Sequence, residues 1–205
     1  GGTAAGIGAQ PHGEATYDYL IRFHTTTTMT ADEIFELGQR EVERISIEMI
    51  MIKNQLGFDG ELSEFFAHVR SNPDLMTYDE PGDVIAHFEA IHERMQPQLE
   101  NLFSLTPKAG FEVRRTEAFR EASASAEYQA GSPDGSRPGI FYVPIPDVNS
   151  YNDFSDESLF LHEAIPGHHY QLSLQQENED LPKFMHTEGM GVFVEGWALY
   201  SESLG

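Results

Sequence analysis

Apolar residues recur every three or four positions through much of the first half of the chain, which is the spacing of amphipathic helices. The clearest run follows Thr30-Ala31-Asp32-Glu33, which has the Ser/Thr-x-x-Glu form of a capping box. The apolar positions of this run are Ile34, Leu37, Val42, Ile45, Met49 and Ile52. We expect the helix to end near Leu56-Gly57, because glycine takes the left-handed conformation that commonly closes a helix.

Two more helices are predicted before the pattern changes. A short helix over positions 61–70 is stopped by Asn72-Pro73, and a longer helix begins at about Pro81, a residue favoured in a first helical turn. The longer helix carries apolar residues at Ile85, Phe88, Ile91, Met95 and Leu99. Pro97 is expected to kink or divide it, because proline removes a backbone hydrogen bond.

Beyond Pro107 the spacing indicates short strands, at positions 111–115, 126–129 and 139–144. The last two are joined by the turn-rich GSPDGSRPG. Helix returns at Ser155, a candidate N-cap, and a final helix begins near Val192. The sequence therefore predicts a mostly helical fold with one small antiparallel sheet. Its parts are helical over 1–106, the sheet over 107–150 and further helices over 151–205.

Composition narrows the classes of partner. With 12 Lys and Arg against 34 Asp and Glu, the net charge is −22, which disfavours nucleic acid and anionic membranes as partners. No apolar run approaches the ~20 residues that span a bilayer, so we expect no membrane insertion. The chain has no cysteine, so a metal would need His, Asp or Glu ligands. It opens without Met and stops at Gly205 inside a predicted helix, so we expect a piece of a longer protein.

The candidate chemistry lies in one stretch, where His162-Glu163 is followed by Pro166-Gly167 and then by His168-His169. A His-Glu pair on a helix with a later His is the core of the zincin arrangement. Two imidazoles hold the metal, and the Glu takes a proton from the attacking water. The usual spacing between the histidines is four residues, which puts both on one helical face. Here His168 is six residues after His162, about 240° around an unbroken helix.

The Pro166-Gly167 pair explains this departure from the usual spacing. Proline removes a helical hydrogen bond and glycine permits unusual dihedral angles, so a bulge or break is expected there. Without those two residues His168 would stand four positions after His162. His169 is the alternative ligand, because an offset of seven residues restores the helical face, at a separation of about 10.5 Å along the axis. We favour His168.

A catalytic zinc site with two histidines needs a third protein ligand. Glu195 is the candidate, because it begins a second predicted helical segment and Gly196 beside it allows close approach. Glu188 and Glu202 are competitors. Glu202 could equally orient a ligating histidine through a hydrogen bond.

These motifs resemble a known family. HEAIPGHHYQ at 162–171, followed by EGWALYSESLG at 195–205, resembles the bacterial domain-of-unknown-function 885 family, whose hallmark is HExxPGHHxQ with a later EGWALY. PGIFYV at 138–143 resembles the segment that precedes this hallmark. The family is similar to the helical gluzincin peptidases, which include angiotensin-converting enzyme and the thimet oligopeptidase and carboxypeptidase Taq groups.

The resemblance implies a helical, two-lobed fold with a channel between the lobes, and it favours a location outside the cytoplasm. Carried over residue by residue, it makes His162, His168 and Glu195 the zinc ligands and Glu163 the general base. The implied function is hydrolysis of short peptides, with Glu163 returning the proton to the leaving amine.

Two further roles and two alternative functions complete the predictions. The strand at 139–143 is expected to pair its free edge with an extended peptide, and Tyr142 on it is a candidate to stabilise the oxyanion. A zinc amidase or esterase acting on a small non-peptide substrate would use the same metal and base. A catalytically silent binding module is the third hypothesis, and the intact Glu163 argues against it.

Overall fold

The computed structural model of the chain describes residues 6–186 and 189–205. The chain divides into two compact units, Gly1–Ser71 and Asn72–Gly205. The boundary falls inside the segment 1–106 that the sequence treats as one helical part. Helices are the main regular structure, which confirms a mostly helical fold, while the two-lobed arrangement stays a prediction. No helix in the described residues has the length and apolar character needed to cross a membrane.

In the described residues of the first unit, the α-helices are α1 (Gly13–Thr25), α2 (Ala31–Gln55) and α3 (Leu62–Arg70). The predicted capping box at the start of α2 is confirmed. The Thr30 side chain accepts a hydrogen bond from the Glu33 backbone N–H at 3.2 Å, and the Glu33 carboxylate accepts one from the Thr30 backbone N–H at 2.8 Å. At the other end, Gly57 has a φ of 71°, the left-handed conformation expected there.

The α-helices described in the second unit are α4 (Pro81–Leu102), α5 (Asp156–Glu163), α6 (His168–Glu177) and α7 (Gly191–Glu202). Helix α4 continues through Pro97, so the expected division there is wrong. The final helix begins one residue before the predicted Val192. Ser155 occupies the N-cap position of α5, although its side chain makes no capping hydrogen bond.

The sheet has three strands, β1 (Phe111–Arg115), β2 (Glu127–Gln129) and β3 (Gly139–Val143), in the order β1-β3-β2. Strand β2 pairs antiparallel with β3 as a hairpin, but β1 pairs parallel with β3. The prediction of an antiparallel sheet is therefore wrong, and the sheet is mixed. The chain between β1 and β3 is long enough for the crossover that a parallel pair requires.

The position of β3 corrects a second expectation. Strand β3 lies in the centre and is paired on both sides, so it has no free edge for a peptide. In the described part of the chain, β2 pairs with β3 alone, so the free edge on that side of the sheet belongs to β2.

The core of the second unit is built around α4, β3 and α5. Phe88 of α4, Phe141 of β3 and Phe160 of α5 are fully buried, and the Phe88 and Phe141 rings meet edge to face at 5.2 Å. Burying side chains of this size contributes roughly 1.5–3 kcal/mol each. Helix α5 is thus held against α4 on one side, and it also contacts α7.

Candidate metal centre

The helix break predicted at Pro166-Gly167 is present. Helix α5 ends at Glu163 and α6 begins at His168, and Ala164 between them has non-helical dihedral angles, φ −104° and ψ −99°. The Ile165–Pro166 peptide bond is cis. The indole N–H of Trp197 donates a hydrogen bond of 2.7 Å to the Pro166 carbonyl, so α7 contacts the broken segment directly.

Position 167 requires glycine, because backbone carbonyl groups of α5 lie very close to its Cα atom. A Cβ atom at this position would lie 1.8 Å from the His162 carbonyl oxygen and 2.3 Å from the Leu161 carbonyl oxygen. These atoms belong to the last turn of α5 and cannot move aside as a flexible side chain can. Only glycine fits the turn that carries the chain from α5 into α6.

The break brings His162, His168 and Glu195 together. One ligand atom from each lies within 4.8 Å of the other two. The Glu195 Oε2 atom lies 3.4 Å from His162 Nε2 and 3.6 Å from His168 Nε2. The two imidazole rings are largely buried, whereas the Glu195 side chain is 60% exposed. The two histidines are therefore held inside the protein, and the Glu195 side of the cluster is open to solvent.

His169, the alternative ligand, faces away from this cluster. Its Nδ1 atom lies 2.8 Å from the Tyr128 hydroxyl, and its ring packs on Phe111 with centroids 4.9 Å apart. Burial lowers the pKa of His169 to about 4, so the ring is neutral at physiological pH. The structure brings His168, and not His169, to Glu195.

Glu202 takes the orienting position rather than the ligand position. Its Oε1 atom lies 2.8 Å from His162 Nδ1, and its Oε2 atom accepts a hydrogen bond of 2.9 Å from the Ser158 hydroxyl. A carboxylate can only accept, so Nδ1 of His162 carries the proton and Nε2 presents its lone pair to the cluster. Glu188, the other competitor, lies outside the described residues.

Ser158 is a site residue that sequence reasoning missed. It stands four positions before His162 on α5, so both side chains lie on the same helical face, and that spacing was the available signal. Its hydroxyl donates a hydrogen bond to the Glu202 carboxylate, which accepts a second hydrogen bond from His162. The three residues form one hydrogen-bonded chain from α5 to α7.

The donor set fits a divalent metal. With His162 Nδ1 protonated, His162 Nε2 and the Glu195 oxygen are both acceptors, and two acceptors facing each other need a cation or a proton between them. Burial also lowers the pKa of His168, which favours the neutral imidazole that metals bind. Two imidazoles and one carboxylate, with one position open, are the ligands of many catalytic zinc sites.

Glu163 lies at the end of α5, beside His162. Its carboxyl is buried, and this burial raises its pKa. The backbone N–H of Tyr128 opposes the rise, while the charges of Glu195 and Glu127 add to it. A buried carboxyl next to a candidate metal ligand is able to accept and return a proton.

Tyr142 does not belong to this group. It lies opposite Glu127 in the sheet, whereas the next residue of β2, Tyr128, reaches His169 from the other face. Successive residues of a strand point to opposite faces, so Tyr142 points away from the face that contacts α6. The Arg120 guanidinium covers its ring at 4.8 Å.

The chain is similar to known proteins over most of its length. No curated protein matches the chain. A crystal structure described as that of a "putative lipoprotein from Colwellia psychrerythraea" is similar, with 28% sequence identity and a TM-score of 0.90 over 97% of this chain. The chain spans 35% of that protein's length. The family described as "Bacterial protein of unknown function (DUF885)" matches residues 2–205, and the chain belongs to that family.

Proposed function

We propose that this chain carries the metal centre of a zinc-dependent hydrolase that cleaves short peptides, with His162, His168 and Glu195 as the ligands. The observation that carries the proposal is the convergence of their three ligand atoms within 4.8 Å, beside a buried Glu163. Bound zinc would supply a Lewis acid that polarises the scissile carbonyl and lowers the pKa of water.

The protein's own residues do the rest of the chemistry. Glu163 accepts the proton of the attacking water and delivers it to the leaving amine. The Glu202 carboxylate keeps His162 in one tautomer and one orientation, and Ser158 keeps Glu202 in place. Because Glu202 and Ser158 act through His162, they are positioning residues.

One further observation favours a peptide over a small amide or ester. Strand β2 contacts α6, the helix that begins at His168, and its Tyr128 hydroxyl lies 2.8 Å from His169 Nδ1, so β2 runs beside the proposed metal centre. A peptide that adds to the free edge of β2 would bring its amide bonds past Glu163. This role replaces the one that the sequence suggested for β3.

The test is Glu163→Gln in the purified full-length protein. Elemental analysis should find zinc in the wild type and in the variant. Turnover of a fluorogenic peptide library should fall by about 10²–10⁴-fold in the variant, because a general base contributes that much. Glu157→Gln is the matched control, since Glu157 lies on the same helix with a 61% exposed side chain. This control should keep both zinc and activity.

Two results would contradict the proposal. A wild-type protein that binds no zinc would remove the metal centre, and unchanged turnover in Glu163→Gln would remove the base. Turnover of small amides or esters without any peptide cleavage would favour the alternative hydrolase instead.

A further inference from the structure

A cleft of about 400 Å³ adjoins the metal cluster, because Glu195 forms part of its wall. The other walls come from α6 through Leu172, from α7 through Val194 and from the segment after β2 through Ala130. The cleft is therefore lined by α6 and α7, the helices that carry the proposed ligands His168 and Glu195.

The lining chemistry favours apolar groups and disfavours anionic ones. Ala130, Leu172, Met185 and Val194 contribute apolar surface, and the described lining residues include neither Lys nor Arg. The polar groups on the wall are already engaged in part. The Gln175 side-chain amide donates to the Met185 carbonyl, and His186 Nε2 lies 3.2 Å from the Leu181 carbonyl. An apolar group entering the cleft would leave water without disturbing these bonds.

The cleft also lies on the path of the proposed peptide. Ala130 directly follows Gln129, the last residue of β2, so a peptide on the edge of β2 reaches the cleft as it passes the end of the strand. Leu172 stands four residues after His168, about one helical turn or ~6 Å along α6. An extended peptide advances about 3.3 Å per residue, so one or two residues separate the scissile bond from the cleft.

We infer that this cleft is a specificity pocket for an apolar side chain of a peptide substrate, one or two residues from the scissile bond. The inference rests on the proposed function and adds its substrate class: short peptides with an apolar residue beside the cleavage site. The volume is at the lower end of the ~300–1,000 Å³ that small-ligand sites occupy, which suits one or two residues.

The test compares peptides that differ at a single position, carrying Gly, Ala, Leu, Phe, Asp or Lys within two residues of the scissile bond. With the zinc-loaded full-length protein, kcat/KM should be at least about tenfold higher for Leu than for Ala at one of these positions. Asp should be disfavoured there, because the described part of the wall contains the Glu195 carboxylate and no Lys or Arg.

Leu172→Phe should reduce the space and lower the Phe-to-Ala preference by about tenfold or more, with zinc content unchanged. Leu172→Ala should shift the preference the other way, which keeps the test decisive if the larger side chain prevents folding. Leu102→Phe is the matched control. Leu102 is half exposed on α4 and is not among the lining residues, so its variant should keep the wild-type preference.

The outcomes distinguish a failure of the specificity pocket from a failure of the proposed hydrolase function. If the wild type cleaves peptides without an apolar preference, or if both Leu172 variants keep the wild-type preference, the pocket is wrong and the proposed hydrolase stands. If the zinc-loaded protein cleaves no peptide in the series, the proposed function falls and the pocket falls with it.

Discussion

Helix α4 and the α5–α6 segment share one combination of residues and fold differently. Each has a His-Glu pair followed within four residues by a proline: His92-Glu93 with Pro97, and His162-Glu163 with Pro166. Helix α4 runs through its proline, whereas the second segment breaks. A proline alone therefore costs a hydrogen bond without ending the helix. What differs is the next residue, since only the second proline is followed by glycine.

The histidines show the consequence. On α4, His92 Nε2 lies 3.2 Å from the Gln96 side chain and His87 Nε2 lies 3.8 Å from Asp156, so each has its own partner. Five residues separate them, about 140° around a continuous helix. His162 and His168 are six residues apart, yet their ring centroids are 4.7 Å apart. The break therefore brings together two histidines that would point apart on an unbroken helix.

The largest effect is expected from Gly167→Ala. The added methyl would lie 1.8 Å from a backbone oxygen, so the turn has to move, and the free energy of unfolding should fall by about 3 kcal/mol or more. Zinc affinity should be lost with the geometry. Gly82→Ala on α4 is the control, since its Cβ meets nothing within 4 Å and the change should stay within about 1 kcal/mol. Denaturant titration measures the stability of each variant, and a zinc-binding assay measures its affinity. Wild-type zinc affinity in Gly167→Ala would show that the helix break is not needed for zinc binding.

The second-largest effect should distinguish His168 from His169 as the zinc ligand. His168→Ala should weaken zinc binding by more than about 100-fold, because removing a ligand costs more than removing its hydrogen-bond partner. His169→Ala should keep zinc but lose about 1–3 kcal/mol of stability, because the Tyr128 hydroxyl loses its partner. His92→Ala on α4 should keep zinc. Competition with a chromophoric chelator gives the affinities, and equal losses at 168 and 169 would refute the assignment.

A smaller effect is expected from the orienting carboxylate. Glu202→Ala should weaken zinc binding by about 10–100-fold, the usual cost of losing such a partner. Gln96→Ala, which removes the corresponding partner of His92 on α4, should leave zinc affinity unchanged. The same chelator assay applies, and an unaltered affinity in Glu202→Ala would mean that the hydrogen bond to His162 is not needed for binding.

The smallest effect concerns the other proline. Pro97→Ala should raise the free energy of unfolding by about 1–2 kcal/mol, because alanine restores a helical hydrogen bond while adding some entropy to the unfolded chain. Zinc affinity should not change. Thermal denaturation tests this, and a destabilised variant would indicate that Pro97 contributes packing beyond its effect on the helix.

Features that depend on neighbouring residues were predictable. The Thr30–Glu33 capping box joins residues three positions apart, and the break at Pro166-Gly167 depends on the dihedral preferences of two adjacent residues. Three strands were located within one residue of their bounds for the same reason. The antiparallel pairing of β2 with β3 follows from their short connection, but the parallel pairing of β1 with β3 was not predicted, because β2 lies between them in sequence and residue spacing does not encode the parallel direction.

The sequence by itself determined the helical character of the chain, the family motif, the broken helix and the three candidate ligands. Only the tertiary structure placed His168 rather than His169 beside Glu195, set Glu202 against His162 and moved the free sheet edge from β3 to β2. Local dihedral preferences are set by adjacent residues, whereas the environment of a side chain is set by residues distant in sequence. Tyr128 and Glu202 each lie about 40 positions from the histidine they contact.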